Sequence, residues 1–129
     1  MRMIPALALM LLATTATARD ERGTRDAAAI AKMLDGKVAG EPRSCLGAPD
    51  SNSSSVHNGT VLFRANSKLV WKNDMEGCTV LREDDILQTN LYGTARLCRG
   101  DIAQVIDRGG RYTKGACTFG DFVPYRKAG

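Results

Sequence analysis

Residues 53–72 read Ser53-Ser54-Ser55-Val56-His57-Asn58-Gly59-Thr60-Val61-Leu62-Phe63-Arg64-Ala65-Asn66-Ser67-Lys68-Leu69-Val70-Trp71-Lys72, and they decide the fold class. Asn58-Gly59 is the strongest short hairpin signal, because a two-residue turn needs positive φ at both positions. Val61 to Arg64 follows as a strand, and Ala65-Asn66-Ser67 is a second turn. From Lys68 to Lys72 the residues alternate, with Leu69 and Trp71 on one face and lysines on the other. The stretch predicts an antiparallel meander over residues 53–72.

Further along, Ile86 to Tyr92 predicts a strand ended by Gly93, and Asp101 to Asp107 another built on Ile102, Val105 and Ile106. Arg108-Gly109-Gly110-Arg111 reads as a turn with two residues free to take positive φ. A last strand is expected from Ala116 to Tyr125. Phe119 and Phe122 would face opposite sides of it unless a bulge at Gly120-Asp121 brought them together. Upstream, Asp50 to Ser55 is polar and reads as a loop or weak edge strand. Thr24 to Asp35 predicts a short helix, since Ala27, Ala28, Ala29 and Ala31 favour helix. Ile30, Met33 and Leu34 form its apolar stripe, Gly36 stops it, and Gly36 to Pro42 reads as a connector. The fold class is therefore mainly β: a small curled sheet or barrel of five or six antiparallel strands with one N-terminal helix.

The first residues bear on compartment. Met1-Arg2-Met3 is a short basic start, Ile4 to Ala13 is apolar apart from Pro5, and Thr14 to Ala18 ends in Ala-x-Ala. This is the layout of a secretory signal peptide, with cleavage expected after Ala18. The run is short of the roughly 20 apolar residues that a membrane span needs. The rival reading as a membrane anchor is therefore weaker, and no cysteine at the cut could carry a lipid. The expected organisation is a signal peptide at 1–18, an N-terminal segment with the helix at 19–43, and a disulfide-stapled β domain at 44–127. The 129-residue chain carries 18 basic and 14 acidic residues, a net charge of +4 that falls by one when Arg2 leaves with the leader. The cations are scattered among acids, so mild basicity favours anionic partners without specifying one.

Cys45, Cys78, Cys98 and Cys117 are the only cysteines. An even count in an exported small chain reads as two disulfides. A zinc site would draw ligands from close pairs such as C-x₂₋₄-C, and no close pair occurs. Four cysteines allow three pairings. In a flat meander, Cys45 and Cys78 would flank opposite ends, which favours Cys78–Cys98 with Cys45–Cys117.

Candidate chemistry is thin. His57, the only histidine, stands beside Ser53, Ser54 and Ser55, but no strained Gly-x-Ser-x-Gly elbow presents a nucleophile. Glu83-Asp84-Asp85 with Glu76 is the densest acidic group, yet it lacks the alternation of a calcium loop and reads as a solvated turn. Arg108 to Arg111 lacks the helix and the Gly-Lys-Ser/Thr ending of a phosphate loop. Trp71, Tyr92, Tyr112 and Tyr125 fall in no single motif and read as core or rim. Asn52-Ser53-Ser54 and Asn58-Gly59-Thr60 match the glycosylation sequon. No catalytic residue, metal ligand or cofactor site is expected.

The chain resembles an uncharacterised family of small exported proteobacterial proteins with four cysteines, a domain of unknown function. The resemblance rests on Gly40-Glu41-Pro42-Arg43-Ser44-Cys45, Thr60-Val61-Leu62-Phe63 and Gly77-Cys78-Thr79-Val80-Leu81. It continues through Leu97-Cys98-Arg99-Gly100-Asp101 and Gly115-Ala116-Cys117-Thr118-Phe119-Gly120-Asp121-Phe122-Val123-Pro124, so it covers residues 37–125. It implies an exported, stapled architecture and supplies no activity. The expected function is a non-enzymatic periplasmic or secreted binding or structural domain. Its partner would be an envelope protein or cell-wall component, with no nucleic acid and no membrane span after cleavage. The alternative is an inhibitor of a cell-wall lytic or other secreted enzyme, acting through loops 73–78 and 108–115. A third reading, an enzyme using acids of the Glu83 turn, has no motif behind it.

Overall fold

The computed structural model describes residues 18–51, 53–75, 77–78, 80–82, 84–89 and 96–128. The expected signal peptide lies almost wholly outside them. Among them, no helix is long and apolar enough to cross a membrane. One helix, α1 (Ala18–Met33), precedes ten short strands: β1 (Lys37–Ala39), β2 (Cys45–Gly47), β3 (Ser54–His57), β4 (Thr60–Asn66) and β5 (Leu69–Asp74), then β6 (Ile86–Thr89), β7 (Arg96–Cys98), β8 (Ile102–Ile106), β9 (Thr113–Thr118) and β10 (Phe122–Lys127). They form three antiparallel ladders: β1-β10-β5-β4-β3, β2-β7 and β6-β8-β9. The fold is mainly β with one α-helix, as expected; among the described residues no ladder closes into a barrel, and the ten short strands exceed the five or six expected.

The meander is where the sequence puts it. Asn58 and Gly59 take φ of 43° and 85°, and His57 pairs with Thr60 across them. Phe63 pairs with Trp71, and Trp71 with Pro124, so these side chains share one face of the five-stranded sheet with Val61, Asn73 and Phe122. That face is the main wall of the core. Leu46 of β2, Leu97 of β7, and Ala103 and Val105 of β8 close the core from the other two ladders, together with Met75 and Leu81.

The opposite face carries Ser55, His57, Leu62 and Val70. Helix α1 packs along β3 on this side, where Ser55 Oγ donates to Met33 Sδ at 3.6 Å. Leu62 and Val70 are buried here although they lie outside the main core cluster. The helix begins earlier and ends sooner than the Thr24–Asp35 expected, and Gly36 stops it at φ 70°.

Three differences have physical causes. The connector expected over 36–42 instead holds the outer strand of the large sheet: β1 pairs with β10, and Arg43, just past it, exchanges both backbone hydrogen bonds with Phe122. The N-terminal segment is therefore joined to the β domain beyond it. The single last strand is two. The chain leaves β8's partner β9 at Thr118 and enters the large sheet at Phe122. Asn73, fully buried, holds this corner: its Nδ2 donates to Gly120 O at 2.8 Å, and its Oδ1 accepts from Gly120 N at 2.9 Å. Phe119 and Phe122 do face one core, with Phe63, at ring separations of 5.9–6.4 Å.

The disulfides are Cys45–Cys98 and Cys78–Cys117, neither of which is the expected pair. The expectation assumed one flat meander. The small β2-β7 ladder instead sets Cys45 directly opposite Cys98, and the chain after β5 folds back so that Cys78 meets β9.

Candidate functional site

His57 has a Ser–His–Asp arrangement around it that spacing alone did not reveal. Its Nε2 lies 3.0 Å from Ser55 Oγ, and its Nδ1 lies 3.9 Å from Asp26 Oδ1 on α1. The geometry argues against a nucleophile. The Ser55 hydroxyl lies 3.6 Å from Met33 Sδ and 3.0 Å from Nε2, and the ring's tautomer sets which of Ser55 and His57 donates across the shorter contact. Nδ1 is buried with no hydrogen-bond partner, and 3.9 Å is beyond hydrogen-bond reach of Asp26. The imidazole and Asp26 are both buried where α1 packs against β3. Ser53 and Ser54 are exposed and stand apart from the ring.

The acidic turn separates into parts. Glu76 and Glu83 lie outside the described residues, and Asp84 is exposed. Asp85 turns inward: its Oδ2 accepts from Lys114 Nζ at 2.7 Å and from Arg82 N at 2.8 Å. With side chains 4% and 17% exposed, Asp85 and Lys114 form a buried pair that ties the turn to β9. Among the described residues, no group of three or more His, Cys, Asp or Glu could hold a metal ion. The aromatic candidates are also dispersed. Trp71 is buried with the Arg43 guanidinium 5.6 Å from its ring, Tyr125 is half-buried, Tyr112 is exposed, and Tyr92 lies outside the described residues. Asn58 of the second sequon is exposed in its turn, while Asn52 of the first lies outside the described residues.

Of the two candidate recognition loops, 73–78 is held inward. Asn73, Met75 and Cys78 are buried, and Met75 N donates to Gly59 O. The 108–115 stretch contains a different kind of loop. Asp107 organises it: Asp107 Oδ2 accepts from Gly110 N at 2.6 Å, its carbonyl accepts from Arg111 N, and its N–H donates to Tyr112 O. Arg108 Nε donates to the Asp84 carbonyl, which braces the loop against the acidic turn. Arg111 sits at φ 54°, and Arg108, Arg111 and Tyr112 are all exposed. Asp at the first and Gly at the fourth position of Asp107-x-x-Gly110 is a local turn signal beyond the Gly109-Gly110 pair.

This loop joins β8 to β9, whose outer face is uncharged. Strand pairing puts Ile86, Gln88, Ile102, Gln104, Ala116 and Thr118 there, with Ile102 63% exposed. The result is an ordered Arg–Tyr loop at one end of an open, charge-free sheet face. Comparison of the chain with protein-family models, with curated proteins and with solved structures finds no match.

Proposed function

We propose that the chain is an exported, non-enzymatic binding domain that meets a protein partner with the β8–β9 loop and the sheet face behind it. The observation that carries this reading is the hydrogen-bonded order of 107–112, which holds two arginines and a tyrosine outward. Arg and Tyr are enriched among residues that dominate interface energies, and a preorganised loop loses little conformational freedom on binding. The charge-free outer face suits the interior of an interface, where charged residues are depleted. Two disulfides suit an oxidising compartment, periplasmic or extracellular. The 3.9 Å gap between His57 Nδ1 and Asp26, too long for the hydrogen bond that orients a catalytic base, supports a role other than catalysis.

The cationic loop also favours the second reading, an inhibitor of a secreted enzyme whose cleft is acidic, such as one that lyses cell walls. One experiment addresses both. The oxidised protein and its Arg111→Asn/Tyr112→Ala variant are immobilised and exposed to envelope extract, and bound enzymes are assayed for cell-wall lysis. Asn tolerates the positive φ at this position. The expected result is a partner retained by the wild type and held about 30-fold less tightly by the variant, the loss of one hot spot. Identical capture by both proteins, or capture by neither, refutes the assignment. Loss of lytic activity in the wild-type mixture alone selects the inhibitor.

A further inference from the structure

A second surface lies at the far edge of the large sheet. Lys37 of β1 pairs directly with Lys127 of β10. Lys127 N in turn donates to the carbonyl of Lys68, in the turn just before β5. Two lysines therefore stand abreast on neighbouring strands, and a third, in the turn that leads into β5, continues their row through that backbone hydrogen bond. Like charges directly opposite in a sheet repel, so such a row is costly without an anion to face it. Arg64 stands one step inward on the same face, in the row of Val70 and Tyr125. Arg126 flanks the row on the other face beside Val38, which is 60% exposed. None of the four ion pairs among the described residues involves any of these cations. Lys37 Nζ donates to Met33 O at the end of α1, which fixes one end of the row and leaves two of its donors unspent. The nearest acid in sequence is Asp35, exposed before Lys37.

We propose that this lysine row docks the protein peripherally on an anionic phospholipid surface. Strands lie about 4.8 Å apart, so the row is roughly 10 Å long. That length spans adjacent headgroups better than it surrounds one phosphate. Lysine binds phosphate as a point charge, without the bidentate fork that arginine uses for a defined oxyanion. This surface is built on the five-stranded ladder and shares no residue with the β8–β9 loop, so the proposal stands independently of the partner reading.

The test is co-sedimentation of the full oxidised chain with phosphatidylcholine vesicles, with and without phosphatidylglycerol. The N-terminal residues, Arg2 included, are the same in the wild type and every variant, so the comparison between variants isolates the lysines. The expected result is preferential binding to the anionic vesicles, weakened by salt. Lys37→Gln/Lys68→Gln/Lys127→Gln should cut that preference by about five-fold per lysine, on the order of 100-fold together. Arg82→Gln/Arg96→Gln/Arg99→Gln removes the same charge elsewhere and should retain most of the preference. Equal binding to both vesicle types overturns the proposal, as does an equal fall in both triple variants, which would assign binding to net charge. Soluble polyphosphate displacing the protein at matched phosphate concentration also overturns it, because the ligand would then be a free polyanion. Unchanged Trp71 fluorescence establishes that the variants are folded.

Discussion

Replacing Asn73 by Ala removes the clamp that turns β9 into β10. The side chain is fully buried, and both its bonds go to one residue, 47 positions away. Each bond contributes about 1 kcal/mol net, and a partly buried backbone group left without a partner costs about 1–3 kcal/mol. Water can reach part of the site, so the lower half of that range applies to Gly120. The loss should be about 3 kcal/mol. Asn73→Asp tests the direction of the bonds: it keeps the acceptor for Gly120 N but sets a carboxylate oxygen against the Gly120 carbonyl, and should cost at least as much. Urea unfolding with disulfides intact, followed by Trp71 fluorescence, measures both. Trp71 is the only tryptophan and lies two residues from the clamp. With a slope of about 1.5 kcal/mol/M, the midpoint should fall by about 2 M. A loss under about 1 kcal/mol for Asn73→Ala, or wild-type stability for Asn73→Asp, refutes the reasoning.

A non-reduced tryptic digest should link peptide 44–64 to 97–99 and 73–82 to 115–126, since those peptides carry the bonded cysteines. Under graded reductant, thiol labelling should appear first at the half-buried Cys45 and Cys98 and later at the buried Cys78 and Cys117. Loss of either bridge should cost about 2–5 kcal/mol in thermal unfolding. Lys114→Ala strands the Asp85 carboxylate at 4% exposure and should cost about 3 kcal/mol. Asp85→Asn should cost less, about 1–2 kcal/mol, because the lysine stem can carry its ammonium outward; equal losses in denaturant titrations would count against the argument.

Legibility in the sequence followed the range of the interactions. The Asn58-Gly59 turn and the Leu69/Trp71 alternation are local, and both were readable. Phe119 and Phe122 were readable as sharing a core, but the break between them depends on Asn73, far upstream. Cys45-Leu46-Gly47 and Arg96-Leu97-Cys98 are too short to show a period, so their ladder, and with it the cysteine pairing, was hidden. At the candidate site, the turn at Arg108–Arg111 was legible as a turn. Its order was not read, although Asp107 and Gly110 signal it. The surroundings of His57 depend on Asp26 and Met33 arriving from a helix, which no local pattern encodes.

The two bridges cross: Cys78 lies between Cys45 and Cys98, and Cys98 between Cys78 and Cys117. On the export route proposed above, a chain threading N-terminus first into an oxidising compartment presents Cys45 and Cys78 before either native partner has emerged. The earliest bond open to it joins those two, and that bond must be undone. Orderly maturation then requires either that oxidation wait until Cys98 is delivered, or that a thiol–disulfide exchange catalyst shuffle the first bond. Once closed, the crossed rings cannot be separated into two independently stapled lobes by a single cut in a loop.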